Sequence, residues 1–203
     1  MKENAITNLI LNRKNIRMIT MTAMLSAIAY LMAFFEFPVP LSPAFARMDL
    51  SDFPALIGAF AFGPVAGIFI ELVKNGLQFL GTSTSGVGEM ANFLIGATYV
   101  VTAGLIYKMK KTKKMAWISC IAASIAMAIV AALANYFILF PMFEMFMPLD
   151  QIITAFGEFM PFIHTKLDVV IFNAFPFNLL KGLVISIFTM FVYKKISPVL
   201  KRI

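Results

Sequence analysis

Seven polar side chains, Asn75, Gln78, Glu89, Asn92, Asn135, Asn178 and Lys181, stand within or at the ends of long apolar runs. A charged residue at mid-bilayer costs about 2.5–3.5 kcal/mol on insertion scales, so such residues are kept only where they face a bundle interior or a cavity. Asn178 and Lys181, in Phe177-Asn178-Leu179-Leu180-Lys181, are spaced i, i+3 and put an amide and an ammonium on one helix face. A buried lysine demands an acceptor. Two kinds of chemistry meet that demand: polar glue between helices, or a pocket whose amides and charges are placed for a ligand. The surrounding aromatics, among them Phe79, Phe93, Tyr136, Phe137 and Phe172, suit a flat heteroaromatic ligand that needs apolar faces and a few placed hydrogen bonds. Glu71 and Lys74 are one turn apart and read as a local ion pair.

Catalytic chemistry finds little support. His164 is the only histidine and Cys120 the only cysteine, so neither an HExxH zinc site nor a disulfide or CxxC metal site can be built within one chain. No Gly-x-Ser-x-Gly elbow occurs. The phosphate-binding pattern GxxxxGK[ST] is also missing, and the glycines before Glu89 do not match it. Neither catalytic nor metal-ligating residues are assigned, no cofactor is expected, and a process driven by ATP would need other subunits.

The polar residues need long elements to hold them. The chain is 61% apolar and 13% charged, against about half and a quarter in soluble domains. Runs near the ~20 residues that cross a bilayer recur along it. The expected spans are about Met18 to Phe35, Ser51 to Gly63, Val65 to Leu80, Glu89 to Tyr107, Met115 to Phe140 and Lys166 to Tyr193, in a single domain over 1–203. The second and third are short for a full crossing. The first reads as a retained helix and not a cleaved signal, because its apolar run is long and further spans follow. Pro38, Pro40 and Pro43 close it and open a non-helical loop, and 141–165 reads as a mixed loop.

The net charge of +7 raises a nucleic-acid partner, but the basic residues flank apolar runs and form no stripe, so none is expected. Lys2, Arg13, Lys14 and Arg17 precede the first span, five lysines lie in 108–114, and Lys194, Lys195, Lys201 and Arg202 follow the last. All three groups share one side only if the chain crosses six times. The positive-inside rule then predicts an all-α membrane protein of six transmembrane helices, multi-pass in the cell membrane, with both termini cytoplasmic. Eight of the ten acids fall on or near the outer side of that arrangement, and the intramembrane amides collect at one level open to the outside. Ala23 and Ala27, and again Ala29 and Ala33, have the small-xxx-small spacing that lets another helix approach closely.

Five stretches carry a resemblance: Met48-Asp49-Leu50-Ser51-Asp52-Phe53-Pro54-Ala55-Leu56, Phe62-Gly63-Pro64-Val65-Ala66-Gly67, Glu71-Leu72-Val73-Lys74-Asn75, Ser83 through Phe93, and Phe177-Asn178-Leu179-Leu180-Lys181-Gly182. Together they resemble the S components of energy-coupling factor (ECF) vitamin transporters, and within them the riboflavin-specific kind. The resemblance implies a six-helix, high-affinity flavin-binding subunit of an ABC-type importer, loaded with riboflavin or its phosphate as transported substrate. It implies as partners a transmembrane coupling (T) subunit and two cytoplasmic ATPases. It further implies Asn135, Asn178 and Lys181 as contacts to the isoalloxazine edge, Glu89 with its neighbours Gly86 and Asn92 toward the ribityl chain, and Asn75 of the third span as a further ligand-binding residue. Met48, Asp49 and Leu50 would belong to the capping first loop, and Ala23 and Ala27 to the face that meets the coupling subunit. Gly76 and Gln78 depart from the pattern, which leads one to expect a bulkier and a His-like residue there. The residues alone leave other readings open: an S component for thiamine, biotin or niacin, an intramembrane enzyme, or an assembly subunit.

Overall fold

A computed structural model describes residues 2–38, 47–82, 86–145 and 148–200. Val39 to Pro43 of the proline-rich loop and Ser83 to Ser85 of the glycine-rich linker lie outside the described residues. The architecture is helical: α1 (Lys2–Met32), α2 (Asp52–Phe62), α3 (Pro64–Phe79), α4 (Val87–Met109), α5 (Lys113–Phe143), α6 (Leu149–Gly157) and α7 (166–200). Four of these hold segments long and apolar enough to cross a membrane, namely Lys14–Met32, Val87–Met109, Lys113–Phe143 and Lys166–Tyr193. The 11-residue α2 and 16-residue α3 rise only about 16 and 24 Å at 1.5 Å per residue, against a hydrocarbon core of ~30 Å.

The two short helices form a tight hairpin. Gly63 takes φ 98°, in the left-handed region that glycine tolerates, and its N–H still donates to the Ala59 carbonyl at 3.0 Å. Pro64 then starts α3 at a position where a missing N–H is harmless. The hairpin packs against α1, α4 and α7 around a core of small and aromatic residues that includes Ala29, Ala55, Leu56, Ala59, Tyr99, Val100 and Ala103.

On α5, Ala116, Cys120, Ala123, Met127, Ala131 and Ala134 face the core, while Trp117, Ile121, Ile125, Ile129 and Leu133 are exposed. Two faces of opposite accessibility, both apolar, are what a helix between protein and lipid requires. Buried hydroxyls are consumed inside the bundle: the Tyr99 hydroxyl donates to the Gly182 carbonyl at 3.1 Å and lies 2.9 Å from the Ser186 Oγ. Tyr107 and Tyr193 meet through their hydroxyls at 2.9 Å. The first pair ties α4 to the middle of α7, the second to its far half.

Three local features differ from the expectation of plain helices and loops. Phe37–Pro38 and Arg47–Met48 close the first loop as a two-residue antiparallel ladder. The segment expected as a loop at 141–165 contains α6, whose Ile152 and Phe156 pack with Phe140, Ile163, Val169 and Val170. Both long helices, α5 and α7, carry one π-helical turn, at Asn135–Leu139 and Val170–Ala174, and these turns pack beside each other. Such turns insert one residue into the helical ladder and recur at functional sites.

Candidate functional site

The hairpin sets up a buried charged knot. Asp52 and Lys74 each stand eleven positions from Gly63 (63 − 52 and 74 − 63), so folding at Gly63-Pro64 brings them abreast. The Lys74 Nζ lies 2.5 Å from the Asp52 Oδ1 and 2.7 Å from the Glu71 Oε2. Lys181 of α7 reaches the same carboxylate from the other side, with its Nζ 3.0 Å from the Asp52 Oδ2 and 3.7 Å from the Asp49 Oδ2. Asp49 is itself held by the Ser51 N–H and hydroxyl, which both donate to its Oδ1.

Three carboxylates thus share two ammoniums, with Glu71 at 0%, Asp52 and Lys74 at 2% and Lys181 at 8% exposure. Buried charges persist only when paired and hydrogen-bonded, and removing one partner is far more damaging than never having had the pair. Helix α4 makes room for the knot at Gly96, where an added Cβ would sit 2.8 Å from the Glu71 carboxyl carbon.

Asn75 links the knot to a cavity. Its Nδ2 donates to the Glu71 carbonyl at 2.8 Å and to the Glu71 Oε2 at 3.2 Å, which fixes the orientation of the amide. Its Oδ1, like the Glu71 Oε1, is buried without a hydrogen-bond partner among the described residues. The residue lines a cavity of about 460 Å³ between the C-terminal half of α3, the N-terminal half of α4 and the π turn of α5, together with Phe79, Glu89, Phe93, Leu94 and Ile138. That volume lies within the range of small-molecule sites. The Thr82 hydroxyl donates to the Glu89 Oε2 at 2.9 Å and accepts from the Gly86 N–H at 3.0 Å, which ties Thr82 to the first turn of α4.

The residues singled out from sequence therefore separate into two groups. Lys181 and Asp49 meet in the knot, Asn178 stands one turn before Lys181 on α7, and Met48 is buried and Leu50 half-buried beside Asp49 in the chain. Asn75, Glu89 and Gly86 belong to the cavity and its linker. Asn135 heads the π turn of α5, half-buried, and donates to the Ala131 carbonyl at 2.8 Å, while Asn178 donates to the Ala174 carbonyl at 2.9 Å. Asn92 is exposed on α4 and does not line the cavity. On α1, Ala23 and Ala27 are exposed whereas Ser26, Ala29 and Ala33 face inward, so the two alanine pairs lie on different faces.

Sequence reasoning did not single out Asp52, the hub of the knot. The signal was present in its equal distance with Lys74 from the Gly63-Pro64 turn. It also missed Asn173, buried in the π turn of α7, and Thr82, which holds Glu89.

Comparison with known proteins places this geometry. Residues 17–193 match the family described as the ECF transporter, substrate-specific component. The riboflavin transporter RibU of Staphylococcus aureus (strain TCH60) is 42% identical over 192 residues, covering 94% of this chain and 95% of that protein. The riboflavin transporter FmnP of Bacillus subtilis (strain 168) is 28% identical over 186 residues, covering 90% and 93%. Among solved structures, the S component of a bacterial ECF transporter superimposes with a TM-score of 0.75 at 36% identity, covering 92% of this chain and 99% of the other. ThiT from Listeria monocytogenes shares the fold, with a TM-score of 0.59 at 19% identity. Since the family match runs through all four long apolar helices and the hairpin between them, this chain belongs to the substrate-specific (S) components of ECF transporters.

Proposed function

We propose that the chain is the riboflavin-binding S component of an ECF importer, which captures the vitamin from outside and works with a transmembrane coupling subunit and two cytoplasmic ATPases. The observation that carries this reading is the 42% identity to a riboflavin transporter over nearly the whole of both chains. In this reading α2 and α3 count as two short crossings, so the chain spans the cell membrane six times with both termini cytoplasmic. The basic residues at 108–114 then lie inside, with those at both ends. The native Cys120 is buried, which leaves a low background for labelling. A cysteine placed in the 108–114 loop should resist a membrane-impermeant thiol reagent in intact cells, and one at Gly88 should react. Labelling of the loop from outside would overturn the six-span topology.

The flavin would lie between the two groups of residues. An isoalloxazine ring offers two large apolar faces and a polar edge of carbonyl and ring-nitrogen acceptors, which Lys181, Asn178 and Asn135 can satisfy. Glu89 and Asn75 lie toward the ribityl chain, and Met48, Asp49 and Leu50 close the first loop over the ligand. Energy comes from partners, and the exposed Ala23 and Ala27 are the surface through which α1 meets the coupling subunit. Cells unable to make riboflavin should take it up when this chain is expressed with the coupling subunit and ATPases. Ala23→Phe or Ala27→Phe should abolish most of that uptake while leaving riboflavin binding by the purified chain intact, because a bulky ring blocks close helix approach. Growth rescue that needs no ATPase would contradict the proposed function, and full uptake by both variants would remove these alanines from the docking face.

A further inference from the structure

The connection between α4 and α5 gathers charge that the fold does not neutralise. Lys108, Lys110, Lys111, Lys113 and Lys114 are all exposed. Only residues 110–112 separate the two helices, and they turn tightly, with the Thr112 N–H donating to the Lys110 carbonyl at 2.8 Å. Five ammoniums therefore share one small surface. From Met90 to Phe143 the sequence holds no Asp or Glu, and among the described residues no ion pair reaches any of the five lysines. The contact between Tyr107 and Tyr193 brings the far half of α7, with Lys195 exposed, to the same end of the bundle.

Two of these lysines break a local rule. Lys113 and Lys114 open α5, whose first turn holds no acid, although the positive end of a helix dipole disfavours cations and attracts anions. Membrane orientation does not require them there, since Lys108, Lys110 and Lys111 already supply a basic flank outside that turn. An anion seated at this point would offset the lysines and the helix end together. The surface beside them is apolar: Met109 is 76% and Trp117 39% exposed, and the exposed Ile118, Ile121 and Ile125 continue that face along α5. Tryptophan near the end of an apolar span marks the headgroup level of a bilayer. Phosphate at the lysines and hydrocarbon against the adjoining face is the chemistry of a phospholipid.

We propose that the α4–α5 connection is a binding site for an anionic phospholipid, with the headgroup phosphate at Lys113, Lys114 and the start of α5 and the acyl chains against Trp117 and Ile121. The site is independent of the flavin reading and requires only that α4 and α5 cross the bilayer. It ties this end of the two helices to the membrane surface.

Trp117 is the only tryptophan, so its fluorescence reports directly on a lipid bound beside it. The purified full chain is placed in phosphatidylcholine bilayers that carry either brominated phosphatidylglycerol or brominated phosphatidylcholine at equal mole fraction, since bromine quenches tryptophan on contact. In the parent, phosphatidylglycerol should win the site by about fivefold or more, and the preference should shrink in high salt. Lys113→Gln/Lys114→Gln should bring the two lipids close to equal, whereas Lys113→Arg/Lys114→Arg, which keeps the charge, should retain the preference. Equal quenching of the parent by the two lipids would overturn the proposal without any variant, and so would a preference undiminished in Lys113→Gln/Lys114→Gln. Relief of the quenching by glycerol 3-phosphate would overturn it in favour of a site for a free phosphate. Equal quenching of the parent, combined with lost assembly of Lys113→Gln/Lys114→Gln with the coupling subunit and ATPases, would assign the lysines to an acidic face of a partner subunit instead.

Discussion

Lys74→Met should destabilise the protein more than any other single change in the charged knot, by about 3–5 kcal/mol, the cost of stripping a buried charge of its partner. Lys74 serves two carboxylates at once, Asp52 at 2.5 Å and Glu71 at 2.7 Å. Without it, three carboxylates share the one ammonium of Lys181, and Glu71, at 0% exposure, keeps only the Asn75 amide on its Oε2. Methionine fills much of the space of the lysine stem, so the loss reports charge and not a cavity. On the scale of soluble domains of this length, the melting temperature would fall by roughly 6–20 °C. The double variant Lys74→Met/Glu71→Gln should recover part of that loss, since it leaves two carboxylates and one ammonium and so restores the parent's excess of one carboxylate. A thermal melt in detergent reads both. If Lys74→Met melts with the parent, the knot does not hold the hairpin in place.

Lys181→Met is expected to behave differently, because its partners are better provided for. Asp52 keeps Lys74, and Asp49 keeps the two hydrogen bonds from Ser51 and is 14% exposed at its side chain. The melting temperature should fall less than in Lys74→Met. Riboflavin affinity should fall by about one to two orders of magnitude, because acceptors on the flavin edge left without a donor cost about 1–3 kcal/mol each. Adding Asp49→Asn should restore stability by removing the stranded charge and should leave the affinity low. If affinity and stability return together, Lys181 is glue between α7 and the first loop and makes no contact with the ligand.

The long apolar runs made the four longest helices legible in the sequence, and proline and glycine marked the ends of the short ones. Asn178 and Lys181 could be read as one face because a helical repeat places i and i+3 together whatever the surroundings. The partner of Lys181 could not be read that way, since Asp49 and Asp52 are more than a hundred positions away and their approach depends on how the α2–α3 hairpin packs on α7. The same limit explains why Asn75 and Glu89 separate from Lys181: hydropathy gives the depth of a residue in the bilayer, not which way its helix is turned. Helix α6 was hidden because only Ile152 and Phe156 of its nine residues are buried, between Pro148 and Pro161, and that is too short a repeat to stand out. The π turns at Asn135 and Val170 leave no mark in the pattern of apolar residues, since one inserted residue shifts the helical face without breaking it.

The riboflavin assignment is tested most directly by titrating riboflavin into the purified chain, alone in detergent, and following flavin fluorescence. The structure and its relatives lead us to expect saturable quenching with one site per chain, tight enough for bound flavin to survive purification and weakened in Lys181→Met. A folded, monodisperse protein that leaves riboflavin fluorescence unchanged across the titration would contradict the assignment.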